Sequence, residues 1–269
     1  MRREFRDRVV VVTGAASGIG RALCGRFGKA GAIIAALDMD REGLARLEGD
    51  MEAIGVRARG YECDVSDNGS CREAVGAVIR DMGGVDVLVN NAGITQRSPF
   101  VSTGIGVYRR VMDVNFFGSV SCSMAAAESL IARRGMIIVT SSIAGLVPLI
   151  GRTGYCASKH ALHGFFRTLR AELSPQGVGV LIVCPGFTRT NLQTRALDGD
   201  GSVTAHPQSR VGGETTPEEV AEKVFRAARR GKKLLVLSGT GVVTRWMNAL
   251  APNLYETVMA RKLRREIVR

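Results

Sequence analysis

A chain of 269 residues that is 45% hydrophobic is long enough to bury one sizeable core, and α/β folds of this length often form a single domain. Its 37 Lys and Arg against 25 Asp and Glu leave a formal charge of +12, which favours anions without selecting among nucleotide phosphates, acidic proteins and membrane headgroups. Aromatic residues make up only 5% and do not interleave with basic blocks, so nucleic acid is not an expected partner.

In chain order, short β-branched runs at 8–12, 33–37, 85–89, 136–140 and 179–184 alternate with amphipathic stretches near 18–30, 41–54, 67–82, 106–132, 155–174 and 217–230. That alternation predicts a doubly wound parallel sheet with helices on both faces, formed by residues 1–269 as one domain. The run 31–37 lacks a polar alternation, as expected of a strand buried on both sides. Thr216, Pro217, Glu218 and Glu219 read as a capping box with proline at the first helical position. Between the last strand and that helix, residues 188–216 form a long stretch rich in Gly, Ser, Thr and Asp, placed where a substrate lid is expected. The basic N-terminus leads into the apolar run 9–12, too short for a signal peptide or a membrane span.

The first strand runs into Thr13-Gly14-Ala15-Ala16-Ser17-Gly18-Ile19-Gly20 and then a helical stretch. A strand, a glycine turn and a helix N-terminus together present bare N–H groups and a positive helix end to a phosphate. The GxxxGxG spacing is one residue longer than the GxGxxG dinucleotide fingerprint. Asp38 ends the second strand, where a carboxylate accepts hydrogen bonds from ribose hydroxyls and repels a ribose phosphate. NAD is therefore expected over NADP, although Arg41 lies close by, and Asp38 also reads as an ordinary strand-end residue. Asp64 and Val65 follow a third strand, N-terminal to the 85–89 run, where they can meet an adenine. Asn90-Asn91-Ala92-Gly93 follows the fourth, with small and amide residues where backbone must approach a cofactor.

Taken with Asn115, Ser141-Ser142, Tyr155-Cys156-Ala157-Ser158-Lys159 and Pro185-Gly186, all in the same order, these motifs resemble the short-chain dehydrogenase/reductase family over roughly the first 190 residues. The resemblance implies a Rossmann-like three-layer α/β/α fold and an NAD(P)-dependent enzyme acting on a CH–OH group. It implies a catalytic set of Asn115, Ser142, Tyr155 and Lys159, and a homodimer or homotetramer. Cofactor contacts are expected from Gly14, Ser17, Gly18, Ile19, Gly20, Asp38, Asp64, Val65, Asn91, Ala92, Gly93, Tyr155, Lys159, Pro185, Gly186, Thr188 and Thr190.

The residues also support a chemical reading. Tyr155 and Lys159, four residues apart on a helix, share one face. A phenol with a pKa of about 10 is a poor proton acceptor at neutral pH, and a nearby ammonium is expected to favour the phenolate. The resemblance implies that Ser142 is the family's serine, which hydrogen-bonds the reacting oxygen, with Ser141 the less favoured of the two, and that Asn115 is the family's asparagine, which holds a water near the lysine; a mid-helix asparagine also asks for a reason.

Residues 240–269 read as a basic helical extension. Trp246, Met247 and Leu250 precede Pro252, and Leu254, Tyr255, Val258, Met259 and Leu263 then recur at helical spacing before Arg261, Lys262, Arg264 and Arg265. Packing on its own domain or a sister subunit is favoured over a membrane surface or an acidic partner. Cys24, Cys63, Cys71, Cys122, Cys156 and Cys184 lack CxxC pairing and read as scattered free thiols in a reducing, cytoplasmic compartment. His160 and His163 lack companions for a metal shell, so no metal is expected. The substrate is expected to be a small-molecule alcohol or ketone, and Leu146, Val147, Leu149 and Ile150 hint at an apolar, steroid-like or long-chain one. A 3-oxoacyl-carrier-protein-type reductase is an alternative that Asp38 disfavours. A non-catalytic nucleotide sensor is another, disfavoured by the retention of Tyr155 and Lys159. A serine hydrolase is disfavoured by the lack of a GxSxG elbow and of a suitably placed histidine.

Overall fold

The computed structural model describes residues 3–206 and 213–264. Seven strands, β1 (Val9–Thr13), β2 (Ile33–Asp38), β3 (Ala58–Glu62), β4 (Val87–Asn90), β5 (Met136–Thr140), β6 (Gly179–Cys184) and β7 (Leu234–Val236), form one sheet in the order β3-β2-β1-β4-β5-β6-β7. All neighbouring pairs are parallel, with Val10 opposite Ile34 on one side and Val87 on the other. Every residue of β1 and β4 is buried, as a sheet covered on both faces requires. Successive side chains then feed two different cores.

On one face Val10 and Val12 pack with α1 (Gly18–Gly28), α2 (Arg41–Ala53) and α7 (Pro217–Arg229), where Phe5, Phe27 and Phe225 meet with ring centroids 5.0–5.4 Å apart. On the other, Val9 and Val11 pack with α3 (Asn68–Met82), α5 (Gly118–Ala132) and α6 (Thr153–Leu173). The chain reverses its winding at β1, whose neighbours are β2 and β4. The crevice beyond the carboxyl ends of those strands is where such sheets take ligands.

The structure departs from the sequence reading in four places. The continuous helix expected over 106–132 is α4 (Ile105–Met112) and α5 joined by a π-helical turn, Asp113–Phe117. The fourth strand begins at Val87 because Asp86 turns inward, accepting from Val9 N at 2.9 Å and pairing with Arg8 and Arg133. A short strand, β7, follows α7; its three half-buried residues carry too little pattern to read in advance. The C-terminal extension is two helices, α8 (Gly239–Leu250) and α9 (Pro252–Leu263), broken where Pro252 lacks the N–H that a continuous helix needs. The capping box at Thr216 and Glu219 is present as read, with both reciprocal bonds at 3.2 Å.

Candidate active site

The turn after β1 is shaped by its glycines. Gly14 has φ +64°, and a Cβ there would stand 2.8 Å from the Ala92 Cα; a Cβ on Gly20 would stand 1.9 Å from the Gly14 carbonyl oxygen. Side chains at either position would push apart the turn and the segment 91–93. Thr13, which the sequence reading left out of the site, ties the two together: its Oγ1 accepts from Asn91 N at 3.0 Å and Ala92 N at 3.1 Å. The Asn91 Nδ2 donates back to the Thr13 and Gly14 carbonyls. Ser17 stands at the N-cap of α1 without a side-chain cap bond, so the amides of the first turn face outward. Ile19, partly buried, packs onto the first core. Across from Gly18, Thr190 Cγ2 lies 3.1 Å from where a Cβ would be. Gly18, Arg21, Thr190 and Asn191 line a cavity of about 330 Å³ there.

Asp38 is held at the end of β2, its Oδ2 accepting from Ala16 N at 2.9 Å and its Oδ1 from Asp40 N at 3.1 Å. Arg41, the neighbour that weakens an argument from Asp38, is committed to Glu62, with its Nε at 2.6 Å. Asp64 is exposed and closes its own turn by accepting from Ser66 N and Ser66 Oγ. Val65 is buried against α5, where a Cβ on Gly118 would come within 2.8 Å of its carbonyl oxygen. Gly118 therefore sets the position of that segment.

Tyr155 and Lys159 share the buried face of α6, with Lys159 Nζ 5.7 Å from the tyrosine ring centroid. Ser142 follows β5, accepts from Ala144 N at 3.1 Å and is close enough to Tyr155 to act on its pKa. Ser141 is turned away, donating to the Lys159 carbonyl at 3.2 Å. The geometry thus brings Ser142, rather than Ser141, to the tyrosine. Lys159 Nζ donates to the Thr140 carbonyl at 2.9 Å.

Asn115 lies in the π-helical turn, fully buried. Its Oδ1 accepts from Ile94 N at 2.8 Å, and its Nδ2 donates to the Ile94 carbonyl and to Ser158 Oγ, each at 2.9 Å. This is the reason for a mid-helix asparagine: the π turn offers its amide to a neighbouring segment, and such turns are frequent at functional sites. Ser158 Oγ in turn bonds the Tyr155 carbonyl at 2.8 Å, a link that nothing in the sequence marked. A Cβ on Gly93 would meet Asn115 Oδ1 at 3.0 Å and Lys159 Nζ at 3.5 Å, which places the end of the Asn-Asn-Ala-Gly turn against this group.

Burial dominates the electrostatics. It pushes the Tyr155 phenol up to about 12, while Ser142 and the Arg152 charge pull the other way. It pushes the Lys159 ammonium down to about 8. Within the protein alone burial sets the direction for the phenol, and the lowering expected of Lys159 is not among the main causes acting on it.

Pro185 accepts from Ile143 N at 3.1 Å, and Gly186 leaves room for Ser238 and Ile143. Thr188 bridges to Thr215 at the two ends of the 188–216 loop. That loop is tied down at Leu197, whose N donates to Thr95 and whose carbonyl accepts from Arg97 N at 2.8 Å; residues 207–212 of it lie outside the described residues. α9 packs on the protein's own loop after Ser142: Tyr255 OH donates to the Pro148 carbonyl at 3.0 Å, and Met259 Sδ lies 3.3 Å from Ile150 N. Arg265, read with the basic tail, is also outside the described residues. Among the described residues no group of His, Cys, Asp or Glu is arranged to hold a metal ion, and no helix is long and apolar enough to cross a membrane.

Residues 8–200 match the short chain dehydrogenase family. The chain is 37% identical to a dehydrogenase/reductase SDR family member 7B of Xenopus tropicalis, over 97% of this chain and 87% of that one. It is 36% identical to the Bos taurus protein of the same name, over 99% and 84%. Among solved structures, a short-chain dehydrogenase from Streptomyces avermitilis superposes with a TM-score of 0.80 at 30% identity, covering 96% of this chain and 98% of that one. A short-chain dehydrogenase/reductase from Burkholderia phymatum, solved in complex with NAD, shares the fold with a TM-score of 0.84 at 24% identity, covering 94% and 96%. The chain therefore belongs to the short-chain dehydrogenase/reductase family, oxidoreductases that act on CH–OH groups with NAD(P).

Proposed function

We propose that the protein interconverts a secondary alcohol and a ketone with NAD(H), and that Tyr155 is the group that moves the hydroxyl proton. The observation that carries this reading is the placement of Tyr155 and Lys159 on one buried face of α6 with Ser142 beside the phenol.

The residues present fit a dinucleotide. The turn has no room for side chains at Gly14 and Gly20, the first turn of α1 is open to phosphate oxygens, and Asp38 offers a carboxylate to ribose hydroxyls. Gly14, Ser17, Gly18, Ile19 and Gly20 would hold the phosphates, with Thr188 and Thr190 opposite. Asp64 and Val65 would meet the adenine. Asn91, Ala92, Gly93, Pro185 and Gly186 would surround the nicotinamide half, and Lys159 would bond its ribose. When bound, the nicotinamide exchanges hydride with the carbinol carbon.

Ser142 and Tyr155 orient the substrate oxygen between them. In oxidation, Tyr155 Oη accepts the hydroxyl proton, and in reduction it returns one. The positive charge of an oxidised nicotinamide would act in the same direction as Ser142 and Arg152, towards a more acidic phenol. Asn115 and Ser158 hold α6 against the Ile94 segment, which fixes where Tyr155 and Lys159 sit. The half-buried Leu149 and Ile150, under α9, support an apolar substrate, which the 188–216 loop would cover as a lid. Phe117 and Met124, exposed and two turns apart, offer apolar surface to a second copy in a homodimer or homotetramer.

Titration of NAD(H) and NADP(H) into the wild type and an Asp38→Ala variant, followed by a secondary-alcohol panel, tests this reading. We expect tighter NAD(H) binding that weakens by about tenfold in the variant, on the order of 1.4 kcal/mol. Preference for NADP(H) would overturn the reading of Asp38, and no binding of either nucleotide would overturn the whole.

A further inference from the structure

The fold gathers three cysteines that are dispersed in the sequence. Cys63 follows β3, Cys71 is in the first turn of α3, and Cys122 is in α5; all three are buried in the second core. Cys122 Sγ lies 3.6 Å from Cys71 Sγ, and Cys63 is close enough to both thiols and to Ser70 for each to act on its pKa. Cys71 also points its thiol at the Val65 carbonyl, 3.5 Å away, the same carbonyl that Gly118 packs against. The trio therefore lies directly behind the turn that carries Asp64 and Val65.

We propose that Cys63, Cys71 and Cys122 are a redox-modification site at which Cys71 joins one of the other two in a disulfide, and that this oxidation weakens dinucleotide binding. The second half rests on the reading of Asp64 and Val65 as the adenine-facing segment.

The geometry and chemistry agree. Two sulfurs already in contact need to close only from 3.6 Å to the ~2.05 Å of a disulfide. Cys63 adjoins the exposed turn 64, 66 and 67, through which a small oxidant reaches it first, and its neighbours Cys122 and Cys71 act to lower the pKa of its thiol, which favours the reactive thiolate.

With hydrogen peroxide as oxidant, the Cys63 sulfur takes one oxygen as the O–O bond breaks, giving a sulfenic acid and water. The Cys71 sulfur then attacks that sulfur, the S–O bond breaks and a second water leaves. Two thiols lose two electrons in all and peroxide gains them. Thiol exchange within the trio can move the bond to Cys71 and Cys122. In either product Cys71 no longer donates to Val65, and α3 is drawn against its neighbours, displacing the turn.

The test is treatment of the full chain with hydrogen peroxide, alkylation under denaturing conditions and peptide mapping, beside NADH titration of the same samples. Trypsin leaves Cys63 and Cys71 in one peptide, 60–72, and Cys122 in another, 111–133. A disulfide therefore shows as the loss of two hydrogens within 60–72 or as a cross-link between the peptides. We expect one of these, an NADH Kd raised by about fivefold or more, and reversal of both by dithiothreitol. A Cys24→Ala control, which removes a core thiol elsewhere, should still form the disulfide, and Cys71→Ala should keep its NADH affinity through peroxide treatment. Three free thiols at 63, 71 and 122 after oxidation would overturn the site. A mapped disulfide with unchanged NADH affinity would overturn the coupling. Asp64→Ala in reduced protein separates the two readings: unchanged NADH affinity there would remove the adenine assignment while leaving the mapped disulfide as it stands.

Discussion

Replacing Asn115 with alanine removes three hydrogen bonds from a fully buried side chain, two to the backbone of Ile94 and one to Ser158. The alanine leaves the Ile94 N–H and carbonyl without partners at a partly buried position, and a small cavity beside Ser158. At about 1 kcal/mol for each backbone group and a similar amount for the serine and cavity together, the loss is ~3 kcal/mol. For a domain of this size that lowers Tm by about 6–12 °C. Because Ser158 also bonds the Tyr155 carbonyl, turnover should fall more than the NADH affinity does. Differential scanning fluorimetry, with kcat and NADH Kd on the same samples, reads both effects. A Tm within about 2 °C of wild type would show that the Asn115 amide does not hold the Ile94 segment to α6.

Gly14→Ala forces a side chain onto a residue at φ +64° and sets its Cβ 2.8 Å from the Ala92 Cα. It should cost about 2–3 kcal/mol and abolish nucleotide binding, as read by thermal melts and NADH titration; wild-type values of both would refute the packing argument. His163 is pushed from 6.5 down to about 4, chiefly by burial, with Arg167, His160 and Arg245 acting in the same direction. The unfolded chain then binds a proton that the folded chain refuses, so stability present above pH 6.5 is lost as pH falls towards 4, by about 3 kcal/mol at pH 4. Denaturant melts across that range should show a shallower pH dependence for His163→Gln, and an identical slope would contradict the assignment.

Much of the sheet was legible because buried parallel strands leave continuous apolar runs, as in Val9 to Val12 and Ile33 to Leu37, bounded by glycine turns. The phosphate turn was legible for the same local reason: Gly14 and Gly20 stand where a Cβ would collide with backbone. What escaped the sequence is what depends on distant partners. The π turn at Asp113–Phe117 follows from Asn115 reaching Ile94, and the truncation of β4 follows from Asp86 pairing across to Arg8 and Arg133. Thr13 and Ser158 make bonds that no local pattern announces. The burial that raises Tyr155 and lowers Lys159 was not legible, because spacing on a helix shows that the two are near but not how deeply both are buried. The cysteines looked dispersed because β3, α3 and α5 meet only in the folded core.

The account stands most directly on Tyr155→Phe, which keeps the ring and deletes the one oxygen assigned to proton transfer. With a secondary alcohol that the wild type oxidises, NADH affinity of the variant should stay within about threefold while turnover falls by about 10²–10⁴-fold, the usual worth of a positioned acid or base. Turnover retained at near the wild-type rate, with the nucleotide bound as before, would contradict the central claim.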